Sequence, residues 1–153
     1  MDSGICAIKF DSQGPGQDRG VHFLDCRTIK RANGLREFMQ LSEKARFYFR
    51  TSFDYWNDHL INKRRFHGFD SSYMKGVYKK CFVFKHVEQK CRLYRFLSPP
   101  ESFGDVELCI LVLFCPKKED ATDETMLKRI NEMRIRKDVT EAVRMFRAEQ
   151  RGL

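Results

Sequence analysis

The sequence lacks most of the short signatures that announce a chemistry. It holds no phosphate-cradling glycine loop, no H-E-x-x-H, no nucleophile elbow and no standout pairing of Cys with His. None of the six cysteines (Cys6, Cys26, Cys81, Cys91, Cys109 and Cys115) sits in a C-x-x-C pair. Cys81, His86 and Cys91 are evenly spaced across an expected hairpin, but that is not a usual zinc spacing, so neither a metal nor another cofactor is expected. The N-terminus shows no basic region followed by an apolar stretch, which leaves no export signal to read. The cysteines are therefore expected as reduced core residues of a cytoplasmic protein. The longest apolar run is too short to cross a bilayer. Internal repeats, low-complexity tracts and interdomain linkers are also missing.

What the chain does have is positive charge and strand-forming apolar sequence. Its 153 residues suit one domain with a real core, and 42% hydrophobic content argues against wholesale disorder. Lys and Arg number 29 against 21 acidic residues, a net charge of +8. A solvated surface can carry that excess. A footprint for nucleic acid or an acidic partner uses it better.

Residues 1–20 read as a loose N-terminal segment, with Ile5–Phe10 a candidate short strand. Val21–Cys26 is a better strand, and Arg27–Asn33 a basic connector. Helical stripes follow at Gly34–Leu41 and from an N-cap at Ser42, with Glu43 in the first turn. The second stripe (Ala45, Tyr48, Phe49, Ser52, Tyr55, Trp56, Leu60) could stack bases, but its spacing suits a core face lying on a sheet. Asn62–Ser72 is a basic link carrying Lys63, Arg64, Arg65 and His67. Strands are expected at Val77–Val87, Cys91–Leu97 and Val106–Cys115. The last is apolar at every position from Leu108 to Cys115, the mark of a strand buried on both faces. Another helix is expected near Thr122, and Asp138 with Glu141 has the form of a capping box for a last one. The units are thus a main domain over 21–135 and a basic C-terminal helix over 136–153, part of that domain or a frayed tail.

The candidate chemistry lies in the bases on the strands. Alternation puts Lys79, Cys81, Val83 and Lys85 on one face, and Lys80, Phe82, Phe84 and His86 on the other. The next strand sets Arg92, Tyr94 and Phe96 against Cys91, Leu93, Arg95 and Leu97. Arg92 or Arg95 can then share a face with Lys79 or Lys80, while Lys117 and Lys118 follow the apolar strand. Such a cluster neutralises the charge that builds on phosphorus when RNA is cut. Crowded lysines also repel one another's charge, so one could serve as acid or base near neutral pH, and His86 and His67 titrate there unaided. The plain alternative is that these groups hold phosphates without catalysis.

The motifs Leu35–Ser42, Gly76-Val-Tyr-Lys-Lys80, Cys91-Arg-Leu-Tyr-Arg-Phe96 and Leu108–Phe114 followed by Cys-Pro-Lys-Lys118 come in a telling order. Over Gly34–Met133 the chain resembles the RelE/ParE toxin superfamily, most closely its HigB and phage-protein branch. The resemblance implies an α+β fold with a small twisted antiparallel sheet of about four strands. Two N-terminal helices would pack on one face, with C-terminal helices following. It implies a metal-independent endoribonuclease acting on RNA, including ribosome-bound mRNA, and held by a cognate antitoxin. Lys79 matches the first basic position of the family's second strand, Arg92 the arginine on the scissile phosphate, and Lys118 the basic residue after the central strand. Lys80 completes the catalytic set. Lys85, His86, Arg95, Lys117, Arg64 and Arg65 would bind nucleic acid. The pattern departs at Cys81, where ribosome-dependent members carry lysine, and near Glu124, where they carry tyrosine. Glu119 and Asp120 also stand close to the implied site. Those departures keep open a non-catalytic member of the same fold, a degenerate toxin or gyrase poison that binds nucleic acid or a partner. A partner-regulated interaction domain receiving its partner on Arg134–Arg151 is a further reading.

Overall fold

A computed structural model of the chain describes residues 6–9, 17–26, 29, 32–69, 73–88, 90–116 and 123–152. In chain order the elements are β1 (Cys6–Lys9), β2 (Arg19–Cys26), α1 (Gly34–Gln40), α2 (Glu43–Asn57), β3 (Phe66–Gly68), β4 (Cys81–His86), β5 (Cys91–Ser98), β6 (Glu107–Pro116), α3 (Asp123–Arg134) and α4 (Lys137–Gln150). The α+β class agrees with expectation, but the sheet does not. Among the described residues it has six strands in the order β1-β2-β6-β5-β4-β3. It is also mixed, because β2 runs parallel to β6, with Arg19 beside Glu107 and Phe23 beside Leu111. The expected four-stranded antiparallel sheet missed β3, an edge strand of three residues, and did not count β1, which falls within the candidate strand Ile5–Phe10.

The all-apolar run lies at the centre as β6, and its residues Leu108–Leu113 are buried. Leu108, Ile110 and Val112 face one hydrophobic cluster, while Cys109 and Leu111 face another. Phe38 of α1 and Phe49, Phe53 and Trp56 of α2 fill the second cluster. Leu127, Ile130 and Met133 of α3, with Val139, Val143 and Phe146 of α4, fill the first. Burying each such aromatic or branched side chain stabilises by about 1.5–3 kcal/mol, so helices are held on both faces. Helices α1 and α2 thus cover one face of the sheet and α3 and α4 the other.

Register slips once, between Tyr94 opposite Leu113 and Arg95 opposite Leu111. The skipped residue, Val112, forms a bulge, and α1 begins directly on it. A Cβ on Gly34 would lie 2.8 Å from both the carbonyl carbon and the oxygen of Val112. Beside it, the Phe114 amide donates to Asn33 Oδ1 at 3.1 Å. Only glycine allows so close an approach of helix to strand.

Helix α2 starts as expected, with the Ala45 amide donating to Ser42 Oγ at 3.1 Å. It stops in a Schellman-type turn, the His59 amide donating to the Trp56 carbonyl (3.0 Å) and the Leu60 amide to that of Tyr55 (2.9 Å). His59 has φ 62°, a left-handed conformation that glycine usually supplies. The expected capping box of α4 takes another form. Arg136 is the N-cap residue, Asp138 lies inside the first turn paired with Arg136, and Glu141 pairs with Arg144. The C-terminal helix is anchored rather than frayed. Its buried Arg147 donates to the carbonyls of Ser98, Pro99 and Val106 at 2.8–2.9 Å. Arg151 forks onto Asp105 at 2.8 and 2.9 Å.

Candidate nucleic-acid interface and a cationic cavity

Strand β4 begins at Cys81, not at Val77, which changes where the candidate bases lie. Lys75 (φ 56°) and Gly76 (φ 79°) reverse the chain, and residues 77–80 form a turn before the strand. Lys79 is exposed on that turn. Lys80 is half-buried, and its carbonyl accepts from the Leu97 amide at 2.8 Å. Arg92 sits at the other end of the β4–β5 hairpin, opposite Lys85, whereas Cys81 pairs with Phe96. Four strand steps between those pairs amount to roughly 13 Å. The chain therefore separates Lys79 and Lys80 from Arg92. Lys117 and Lys118, as well as Glu119 and Asp120, lie outside the described residues.

A different set of cations meets at the Arg92 end. The Lys85 amide donates to the Arg65 carbonyl at 2.7 Å, and Lys85 Nζ to the Lys63 carbonyl at 2.7 Å. Arg65 is locked against α2 by bonds from Nη1 to the Tyr48 carbonyl (3.1 Å) and Ser52 Oγ (3.0 Å), with its guanidinium 4.0 Å over the Tyr48 ring. Arg64 and Lys90 are exposed beside them. Like charges directly across an antiparallel pair, as in Lys85 and Arg92, are unfavourable by themselves. This sheet corner therefore concentrates positive charge at some cost to stability.

His86 lies on the α2 face, against the same Tyr48 ring as Arg65, and is not one of the charged groups. It is buried and stacked on Tyr48 with ring centroids 4.1 Å apart. Desolvation moves its pKa below the ordinary histidine value, with Glu88 opposing, so it is neutral at neutral pH. The expectation that it would hold a phosphate is corrected accordingly.

Arg95 is the larger correction. Expected on a nucleic-acid surface, it is completely buried on the α2 face. Its guanidinium carbon lies 3.4 Å over the Phe82 ring, 4.5 Å from Trp56 and 5.1 Å from Phe84. None of its three side-chain nitrogens has a hydrogen-bond acceptor among the described residues. Burial pushes its pKa down to about 10, which still leaves it charged at neutral pH. Its place in the run Cys91, Leu93, Arg95, Leu97 was the signal of burial, since the other three members are apolar.

Phe82 and Trp56 also form part of the wall of a cavity of about 680 Å³ between the α2–β3 connection and the start of β4. Lys79 lines it, as do Arg19 and Lys63. Arg19 donates to the Trp56 carbonyl at 2.8 Å and pairs with Glu107 at 3.1 Å, with its guanidinium 4.5 Å from the Trp56 ring. Nothing in the sequence pointed to Arg19 or His59 as members of a site.

None of the six cysteines is in a disulfide, five of them are buried, and burial raises Cys81 and Cys91 to about 11 and Cys109 to about 12. No group of three or more His, Cys, Asp or Glu among the described residues could hold a metal ion. No described helix is long and apolar enough to cross a membrane. No protein-family model matches the chain, nor does any curated protein or solved structure.

Proposed function

We propose that this chain is a nucleic-acid-binding protein, and that its contact surface is the sheet corner formed by Lys63, Arg64, Arg65, Lys85, Lys90 and Arg92. The supporting observation is the cross-strand Lys85–Arg92 pair, with Lys85 tied to the Lys63–Arg65 segment at 2.7 Å. Cations fixed on strands and turns meet a phosphate backbone with little further ordering cost. Binding without cleavage is the favoured form. A toxin-like endoribonuclease would need Lys79 or Lys80 within reach of the phosphate held by Arg92, and the run from Cys81 to Lys85 already sets the two ends of the hairpin roughly 13 Å apart along the backbone. On this reading the antitoxin implied by the RelE/ParE resemblance would be acidic and would cover the same corner.

The test is fluorescence anisotropy with a labelled single-stranded RNA and a DNA duplex across a salt series, alongside gel analysis of the RNA. Affinity should fall steeply with salt. The double variant Lys85→Glu, Arg92→Glu should weaken it at least tenfold, with Lys79→Glu near the parent. Unchanged binding in the double variant would sink the proposed surface. Discrete RNA fragments that disappear in Arg92→Ala would restore the nuclease reading.

A further inference from the structure

The cavity beside Arg95 meets the proposed nucleic-acid surface at Lys63 and otherwise has its own chemistry. Its walls are mainly apolar, from Phe66, Phe69, Phe82 and Leu97, with Leu60 and Ile61 exposed at the rim. Among the described residues, every charged or titratable residue lining it is basic: Arg19, His59, Lys63, His67 and Lys79. Two acidic groups stand just behind the lining and are engaged. Glu107 pairs with Arg19 at 3.1 Å, and Asp18 meets His59 Nε2 at 2.7 Å. Arg95 is different, since its guanidinium is completely buried against two cavity-wall rings and has no acceptor among the described residues. A buried cation normally has an anion or several acceptors to offset its lost hydration. At about 680 Å³ the space is of the size that holds a small organic ligand.

We propose that this cavity is a binding site for a small monocarboxylate with an apolar body, its head group directed to Arg95. The apolar walls take the body, and Arg95 supplies a two-pronged donor for the carboxylate. A single buried charge matches a single negative charge. A phosphate monoester, at about −1.5 to −2 near pH 7, would bring uncompensated charge into an apolar site. Arg95 does not itself line the cavity; half-buried Phe82 lies over the guanidinium and lines the cavity, so its ring must turn aside for a carboxylate to reach Arg95. Gly68 packs closely against that ring, since a Cβ there would stand 3.1 Å from its edge.

The experiment is isothermal titration calorimetry with compounds that share a body and differ in charge. Decanoate, decan-1-ol and decyltrimethylammonium form one series, and naphthalene-2-carboxylate with 2-naphthol forms a second that separates chain-like from ring-like ligands. At least one carboxylate should bind the parent roughly tenfold or more tightly than its neutral counterpart, and the ammonium should not bind. In Arg95→Met that preference should shrink to about twofold or less while the neutral compound still binds, which a merely structural role would not produce. Arg144→Met, on the exposed side of α4, should keep the preference. Equal affinity for the charged and neutral members in the parent overturns the proposal, as does a preference that survives Arg95→Met. Failure of both carboxylates to bind overturns it too. The series on the parent decides the matter even if Arg95→Met does not fold.

Discussion

Replacing Arg95 with methionine should make the ligand-free protein more stable. Methionine keeps much of the length and fills the same space between Phe82 and Trp56, so cavity formation contributes little. The charge is what changes. Burial pushes the guanidinium pKa from 12.5 to about 10, which corresponds to a penalty of about 3 kcal/mol for the charged form at neutral pH. Against this stand its contacts with the aromatic rings, the closest at 3.4 Å over Phe82, worth about 2 kcal/mol when desolvated. With no acceptor bonded to Nε, Nη1 or Nη2 among the described residues, the hydrogen-bond contribution that usually rescues a buried arginine is missing. The net expectation is a gain of about 1 kcal/mol, and for a chain of this size each kcal/mol raises Tm by about 2–4 °C. The sign with pH follows. A basic group whose folded pKa is depressed destabilises fully below about 10, and the penalty lifts as pH rises from there toward 12.5. Urea unfolding at neutral pH, read as a midpoint rising at constant slope, gives the number. A midpoint that falls would refute the reasoning, because it would mean that the ring contacts outweigh the lost hydration.

Three other substitutions test the framework. Gly34→Ala places a methyl group 2.8 Å from the Val112 carbonyl and should cost about 1–3 kcal/mol, seen as a lower urea midpoint. Arg147→Met removes the shared donor of the Ser98, Pro99 and Val106 carbonyls and should cost about 2–4 kcal/mol, with faster proteolysis in the 99–106 loop. The third concerns acid stability. Hydrogen bonding from Arg151, then from the Glu101 and Ser102 amides, holds the Asp105 carboxyl well below the usual range against opposing desolvation. A depressed folded pKa means that this stabilisation is complete above the unfolded value of 3.8 and drains away as pH falls below it. Asp105→Asn should therefore lower stability at neutral pH and flatten the acid limb below about pH 4, as thermal melts across pH would report.

The parts of the fold that were legible are those with a long local pattern. The stripe from Ala45 to Trp56 marks α2, Ser42 its start, and the unbroken apolar run Leu108–Leu113 a strand covered on both sides. Beyond these the pattern thins. Phe66–Gly68 is three residues inside a basic link, and nothing local reveals that it pairs with β4. The parallel neighbour of β6 is β2, a partner set by tertiary packing and not by either sequence. Candidate site residues suffered most from reading charge as exposure. Arg92 is a half-buried strand residue at the hairpin end, whereas Arg95, three residues later, is sealed in the core among aromatic rings. Residue type alone puts both in water. Lys79 was misplaced for another reason: the left-handed turn at Lys75 and Gly76 delays the strand until Cys81.

The contact between β2 and β6 also bears on how the chain is made. Arg19 and Glu107, which join the two strands, are 88 residues apart. At about 5–20 residues per second, a ribosome extends the chain for roughly 4–18 s between delivering one strand and the other. Throughout that interval Val21 and Phe23 have no permanent neighbour on the β6 side. The nascent chain therefore carries an unshielded, strand-prone segment, the kind that chaperones bind and that self-associates when they are scarce.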